Sequence, residues 1–490
     1  MKKYLIYTIM LFFGISINGC EDFLTVVPIS EYSVDGAYKT QTDFGQAIAA
    51  AYSQQQALFQ GAQDNWFRGT ITRGDETSGN WAGGLADIYA GGIDVFTNTA
   101  INSWSLPAWQ KYWRMISRCN LILDKIDAVE FANADLKNYI RGEAYILRAY
   151  AYNYLAIQYG GMPLIDKSMT SDEIKKIGRS TKEETLAFAA EDYKKAGTLL
   201  PAEWATASKG RATKYAAEGM LARLYLFQSN FSAAKPLLSD IITSGKYTME
   251  SDYVNCFTDS KDNGPERVWE VQFTGGLLNE GSQLPTLCLP EGFNDKTIMP
   301  FPGSSTAMPV SNDLFTAYEP GDKRKDLSVL FTNGYNYIIK YVHYDTYTPK
   351  SGTDWANNLP ILRYTDVKMM YAEVLNEEGY AANGEAFNIL NSVRTRAGLP
   401  SLSATNLPDK VAFRNAIIKE RRVEFAFEGL RWFDLIRWGI VLNTINQYLA
   451  TPVRGNGLYS MKDYQMILPI PFEEISSYND SKIMPQNPGY

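Results

Sequence analysis

The stretch from Glu420 to Trp438, ERRVEFAFEGLRWFDLIRW, constrains the fold more than any other segment. It sets many charged side chains among Phe, Trp and Leu, and the two kinds share an interior only where each charge has a partner. Ile418, Phe425 and Trp432 recur every seven residues, and Ile417, Arg421, Glu424 and Glu428 every three or four, the spacing of neighbours on a helix face. Glu420 and Glu424 stand one turn apart with Arg421 and Arg422 between them, so opposite charges meet at helical spacing. Gly429 then breaks the run, and Arg431, Asp434 and Arg437 repeat at three-residue intervals among Trp432, Phe433 and Trp438. Such a segment is either catalytic, with Glu as general base and Arg as anion clamp, or a helix and turn buried at a domain seam with its ions paired. The regular spacing favours burial, and function is to be sought elsewhere.

A chain of 490 residues can bury one large core or two to three ordinary ones. Its 45% hydrophobic and 21% charged residues are those of a soluble globular protein. The formal charge of −7 offers no basic stripe for nucleic acid. A single histidine, His343, rules out multi-histidine zinc chemistry and leaves one residue for a Ser-His-Asp or Cys-His arrangement. It lies in a Tyr-rich, strand-like stretch with no nucleophile motif around it. Mechanisms that use only carboxylates survive, because 54 Asp and Glu cannot be sorted by sequence.

At the N-terminus Lys2 and Lys3 precede a largely apolar run from Tyr4 to Ile17. It is too short to cross a bilayer as a helix and suits the core of a signal peptide, residues 1–19. The run ends in Ile17-Asn18-Gly19-Cys20, which is similar to a bacterial lipobox, with Cys20 as the lipid-attachment residue and Asn18 as a departure from the usual pattern. Acyl chains add about 0.8 kcal/mol of membrane affinity per buried CH₂, so several chains on Cys20 anchor a protein durably. No second membrane segment follows, which leaves a body of residues 20–490 on a tether. The remaining cysteines are Cys119, in an apolar helical stretch, and Cys256 and Cys288. An oxidising location allows a Cys256–Cys288 disulfide, but the odd count argues against a disulfide framework.

Along the body, Phe44 to Phe59 reads as a helix, followed by a polar, glycine-rich excursion from Gly61 to Ser103 that carries Trp66, Trp81 and Tyr89, with Trp104 just beyond. Excursions of this length between helices carry function or disorder, and the tryptophans favour function. Helix resumes near Pro107 and runs into Leu123; another stripes one face from Leu136 to Gln158 until Gly160-Gly161 stops it. LARLYLFQSNFSAAKPLLSDII from Leu221 and YAEVLNEEGYAANGEAFNILNSV from Tyr371 each give helix, short turn and helix, a scattered tetratricopeptide-like similarity that any helix hairpin shares in part. Between Thr248 and Thr365, WEVQF and YIIKYV are short strand-like runs between Pro- and Gly-rich loops. The fold class is therefore mainly α: tetratricopeptide-like helical hairpins forming a scaffold, with an irregular loop-rich region containing short β-hairpins. An N-terminal part covers about residues 20–230 and a C-terminal part about 248–490.

The motifs ERR, FEG and RWFDLIRW in that order, RGEAYILRAYAYNYLAIQYGGMPLI with its Gly-Gly-x-Pro exit, SNDLFTAYEPGDKRKD, LPIP and the terminal QNPGY resemble the SusD/RagB family of lipid-anchored nutrient-binding proteins of Bacteroidetes-type outer membranes. The resemblance runs from Cys20 to Tyr490. It implies four helical hairpins in one curved scaffold and an outer-membrane location facing the extracellular side, to which Glu21 and Asp22 after the lipid site also point. It further implies a non-enzymatic protein that captures oligosaccharides, needs no cofactor, and delivers its ligand to a SusC-like TonB-dependent transporter. The alternatives are a peptide ligand, as in RagAB-like uptake, and, remotely, a carboxylate glycosidase.

Glycan binding needs aromatic planes for sugar C–H faces and polar groups for hydroxyls, and loops supply these more often than helices. The first candidates are Arg73, Asp75, Asn80 and Trp81 in the long loop, with Trp104. Relatives imply a second cluster in the C-terminal half, drawn from Tyr335, Tyr337, Tyr341, Tyr347 and Trp355, with Tyr341 and Trp355 leading. Each of these tryptophans taken alone reads as core ahead of contact, and Asp75 after Gly74 serves equally as a turn cap. DSKDNG, Asp259 to Gly264, hints at a structural calcium turn but lacks the full ligand pattern of an EF-hand and reads better as a surface turn.

Overall fold

A computed structural model describes residues 37–60, 66–77, 92–102, 105–303, 309–451 and 457–490. Cys20 and the whole leader, with Asn80, Trp81 and Trp104, lie outside the described residues.

Helix α1, Gln41–Ala57, begins at a capping box: Thr40 Oγ1 accepts from the Asp43 amide, and the Asp43 carboxylate accepts from the amide of Thr40. α2 (Ser105–Lys125), α3 (Ala134–Tyr159), α4 (Lys182–Leu199), α5 (Lys214–Phe227) and α6 (Phe231–Thr243) follow, each packed on the helix before it. Residues 244–358 then leave the helical layer. It resumes with α7 (Tyr364–Glu378), α8 (Glu385–Arg396) and α9 (Lys410–Glu424), and α7 packs directly on α6. Helices of the two halves therefore pack directly on one another. None of the described helices is long and apolar enough to cross a membrane.

α3 departs from its expected one-sided stripe. From Ala149 to Tyr159 every residue is buried, because α1, α2, α4 and α5 enclose it on several sides. The charges this brings inside are paired: Arg148 donates from Nε to Asp192 at 2.6 Å. Gly160 ends the helix at φ +84°, and a Cβ on Gly161 would meet the Ser180 carbonyl oxygen at 1.8 Å. Here the Gly-Gly exit is a requirement of backbone packing.

The strands are β1 (Arg267–Val271), β2 (Val329–Thr332), β3 (Tyr335–Ile338) and β4 (Leu359–Arg363), paired antiparallel as β1–β4 and β2–β3. The runs expected at Trp269–Phe273 and Tyr337–Val342 begin two residues early, since pairing ends at Val271 and Ile338. β2 and β3 join through Asn333-Gly334, both at positive φ, the signature of a two-residue hairpin. One large core runs through the helices, and a smaller one gathers Leu289, Phe293, Met299, Tyr337, Ile339, Val342 and Trp355 beneath the hairpin. Cys119, Cys256 and Cys288 are buried and free, so the Cys256–Cys288 pairing does not form.

Candidate functional site

After α9 the chain turns through Phe427 at φ +67° and Gly429 at φ +72° into α10 (Arg431–Arg437). A Cβ on Gly429 would lie 2.8 Å from both Trp66 Nε1 and Thr70 Oγ1, so this turn is pressed against the N-terminal segment. The charges of the seam are buried and paired. Glu424 accepts from Arg324, Arg363 and Arg396 at 3.1, 3.1 and 2.6 Å, and Glu428 from Lys340 and Arg363 at 2.7 Å each. Burial opposes the charge on Glu424, but these cations outweigh it and hold the carboxyl well below the usual carboxylate range. Arg421 bridges Asp434 and Asp366 at 2.9 and 2.6 Å. The segment is a structural seam, as its spacing implies.

Two of the proposed ligand residues belong to that seam, which corrects their assignment. Arg73 is buried, its guanidinium 4.0 Å from the centre of the Trp432 ring and its Nη2 donating to the Gln465 carbonyl at 2.6 Å. Burial lowers its pKa to about 10. Asp75 accepts from Arg431 Nε and Nη2 at 2.8 and 2.9 Å and pairs with Arg422 at 2.8 Å. Burial works against its charge, yet the two arginines win and lower its pKa to about 2. Neighbouring Glu76 goes the other way. Burial, with only the Phe427 amide donating to Oε1 at 2.8 Å, pushes it up to about 8.

Tyr341 and Trp355 are likewise interior. Tyr341 donates its hydroxyl to the Phe427 carbonyl at 2.7 Å. Trp355 is fully buried, donates Nε1 to Thr286 Oγ1 at 2.9 Å, and meets Phe301 and Tyr344 edge-on. Both side chains are packed in the interior, so the structure places neither at a ligand surface. Tyr347 is tied to Asp354 through its hydroxyl.

What the fold does bring together are the two regions to which those residues belong. Thr77 bridges Val310, the Val310 amide donates to the Asn336 carbonyl at 2.7 Å, and the Ser311 amide donates to the Glu76 carbonyl at 2.9 Å. Residues 76–77 and 310–311 thus extend the free edge of β3, joining the long N-terminal loop to the Tyr-rich strand. The hairpin tip projects from this ladder with Phe331 66% and Tyr335 41% exposed. In the register Phe331 faces Asn336, and Thr332 faces Tyr335, so the tip carries one aromatic on each face. Asn336 Oδ1 is buried with no hydrogen-bond partner, directly across from Phe331. That oxygen is closed to solvent, so what the tip offers a ligand is its exposed aromatic planes, the surface that the C–H face of a sugar ring complements. Phe331 and Asn336 are not among the residues singled out from sequence, although Asn333-Gly334 between VLFT and YNYI marks a hairpin tip there.

The remaining motifs are structural. His343 contacts the Leu327 carbonyl through Nε2 at 2.9 Å, and burial lowers its pKa. In DSKDNG, the Asp259 carboxylate accepts the amides of Asp345 and Tyr347 at 2.8 Å each, which sews the turn to the following loop. Among the described residues no group of three or more His, Cys, Asp or Glu is arranged to hold a metal ion.

Comparison with known proteins agrees along the chain. A family model described as "SusD family" matches residues 295–490, and one described as "Starch-binding associating with outer membrane" matches residues 22–226. "SusD-like protein P25" of Formosa agariphila is 24% identical over 97% of this chain and 96% of its own. Among solved structures, surface glycan-binding protein A from Bacteroides fluxus superposes with a TM-score of 0.78 at 24% identity, covering 92% of this chain and all of that one. Its namesake from Bacteroides thetaiotaomicron in complex with laminarihexaose gives 0.76 at 21% identity, again over 92% of this chain and 100% of that one.

Proposed function

Since the chain belongs to the SusD/RagB family, we propose that it is a cell-surface binding protein that captures oligosaccharides without altering them. The observation that carries this reading is the hairpin tip, where Phe331 and Tyr335 hold aromatic rings out in solvent. Support from relatives lies in the glycan-binding protein that shares the fold and is seen with laminarihexaose. The protein would be tethered to the outer membrane through lipid on Cys20, with its body on the extracellular side. There it would pass ligand to a SusC-like TonB-dependent transporter.

Isothermal titration of the full chain with laminarihexaose, other neutral oligosaccharides and peptide mixtures tests the ligand class. Saturable heat with one or more oligosaccharides is expected, reduced about tenfold in affinity by Phe331→Ala as a stacking contact is lost. Heat from peptides alone would replace this reading with a peptide-binding one. Steady release of reducing sugar, abolished by a single Asp or Glu substitution, would replace it with a glycosidase. Co-purification of a barrel from outer membranes of the native host checks the transporter.

A further inference from the structure

A hollow of about 420 Å³ opens between α2, the loop at residues 165–175 and the late helix Phe472–Tyr478. That volume falls in the range of small-molecule pockets, about 300–1,000 Å³. None of its walls comes from the hairpin or from the seam.

Local structure sets the three walls. Trp113, Arg114 and Ser117 share one face of α2, and Glu474 and Tyr478 stand one turn apart on the late helix. After the Gly160-Gly161 exit the chain is held against α2 by Asn120, whose Nδ2 donates to the carbonyls of Ile165 and Lys167 at 2.9 and 3.2 Å. Asn120 is itself fixed by Arg148 Nη1, which donates to its Oδ1 at 2.6 Å. The capping box at Thr170 then turns the chain through Ser171–Ile174 and brings Lys175 to the same hollow.

Charge narrows the occupant. Arg114, Lys167 and Lys175 line the hollow, and none of them has an ion pair among the described residues; Arg114 touches only Gln110 Oε1, at 3.4 Å. Arg114 and Lys167 are exposed and Lys175 is half-buried, so all three are open to a ligand. The neighbouring carboxylates face backbone groups instead. Asp124 accepts the Ser168 amide at 2.6 Å, and Glu173 accepts the amide and hydroxyl of Thr170 at 2.8 Å each. One carboxylate lines the hollow, Glu474, and burial pushes its pKa up. Three cations against one carboxylate, in a chain of net charge −7, make a local field that selects an anion.

The other walls add apolar and hydroxyl surface. Trp113 and Tyr478 are only partly buried, and Ser117 and Ser168 are exposed. A bare anion has no use for the rings, and a neutral sugar has none for the cations. A sugar ring that carries a carboxylate or sulfate uses both: its C–H face meets an aromatic plane and its charge takes Arg and Lys donors.

We propose that this hollow is a second saccharide site, one that takes an acidic sugar. Trp113 and Tyr478 lie against its ring, and Arg114, Lys167 and Lys175 surround its carboxylate or sulfate. This rests on the reading of the chain as a glycan binder, and adds a class of sugar for which the uncharged hairpin tip does not select.

The test is isothermal titration of the full chain with trigalacturonate, galactose 6-sulfate and laminarihexaose, and with inorganic sulfate and acetate as anions that lack a ring. At least one of the two acidic sugars should bind. Arg114→Gln and Lys175→Gln should each weaken it about tenfold, with the melting temperature and the response to laminarihexaose unchanged. Lys175→Arg should restore most of the affinity, and added salt should weaken the acidic sugar alone. Binding of laminarihexaose only, or of acidic sugars with no response to either variant, overturns the hollow and leaves the glycan reading intact. Inorganic sulfate or acetate binding as tightly as the acidic sugar overturns the saccharide assignment and leaves an anion site. No binding of any saccharide, acidic or neutral, removes both readings. Should Lys175→Gln lower the melting temperature, the exposed Arg114→Gln decides the matter.

Discussion

The seam around α9 and α10 and the tip of the β2–β3 hairpin are both rich in aromatic side chains, and they serve opposite ends. In the seam Trp432 and Phe427 are fully buried, and the arginines and glutamates between them close into ion pairs. At the tip Phe331 and Tyr335 stand in solvent with no charge beside them in the strands. The seam can be dense because complementary charges recur at helical spacing and each finds a partner once buried. The tip is sparse because two residues of turn leave nothing to pack over its outer rings. A crowded sequence marks packing here, and a bare one marks the surface that meets other molecules.

The comparison breaks most sharply at Glu424. Glu424→Ala leaves Arg324, Arg363 and Arg396 facing one another without their shared carboxylate. Removing one member of a buried ion cluster costs about 3–5 kcal/mol, so chemical denaturation should show a loss of that order or no folded protein. A loss below about 1 kcal/mol would mean that water reaches the cluster. Arg431→Ala leaves Asp75 with Arg422 alone, for an expected loss of about 2–3 kcal/mol and no change in oligosaccharide affinity of the folded protein. Full stability with lost binding would move the ligand site into the seam.

Acid and alkali probe the same place in opposite directions. Glu76 binds its proton more tightly folded, at about 8 against an ordinary 4.5, so the folded state loses stability as pH rises from about 4.5 to about 8. Asp75, held at about 2 against 3.8, contributes stability that is lost as pH falls from about 3.8 to about 2. Glu76→Gln removes the first effect only. Thermal melts should show the variant gaining on the parent steadily from pH 4.5 to 8, with no gap at pH 4. A gap of constant size across that range would mean that Glu76 does not titrate between folded and unfolded states.

The helices that were legible have local signals: the period from Leu136 to Gln158 and the stop at Gly160-Gly161. Tertiary partners were not legible. Arg73 and Asp75 look like ligand residues in a polar, glycine-rich loop until Gln465 and Arg431, more than 350 residues away, close over them. The surroundings of Trp355 could not be read locally, because the small core that encloses it is assembled from residues 289–299 and 337–342, both distant from it in sequence. β4 lacks the alternation that announces a strand, since all five of its residues are buried. The hairpin tip was within reach: Asn333-Gly334 gives the turn, and two-residue alternation from it fixes which residues face Asn336 and Tyr335.

The smallest expected effect is also the one that decides which face of the tip works. Phe331 shares its face with Asn336 and points away from the small core, whereas Tyr335 shares its face with Tyr337, whose ring lies 6.4 Å away inside that core. Phe331 therefore has open space beside it, and Tyr335 has a covered flank. Phe331→Ala should weaken oligosaccharide binding about tenfold, roughly 1.4 kcal/mol. Its effect on stability should stay within about 0.5 kcal/mol, as expected of an exposed side chain. Tyr335→Ala should weaken binding less than Phe331→Ala. Asn336→Asp, which puts a charge where a neutral acceptor stands, should cost binding only together with stability, because that atom is buried. If Tyr335→Ala proves the more damaging of the two, the sugar lies over the small core and not against Phe331.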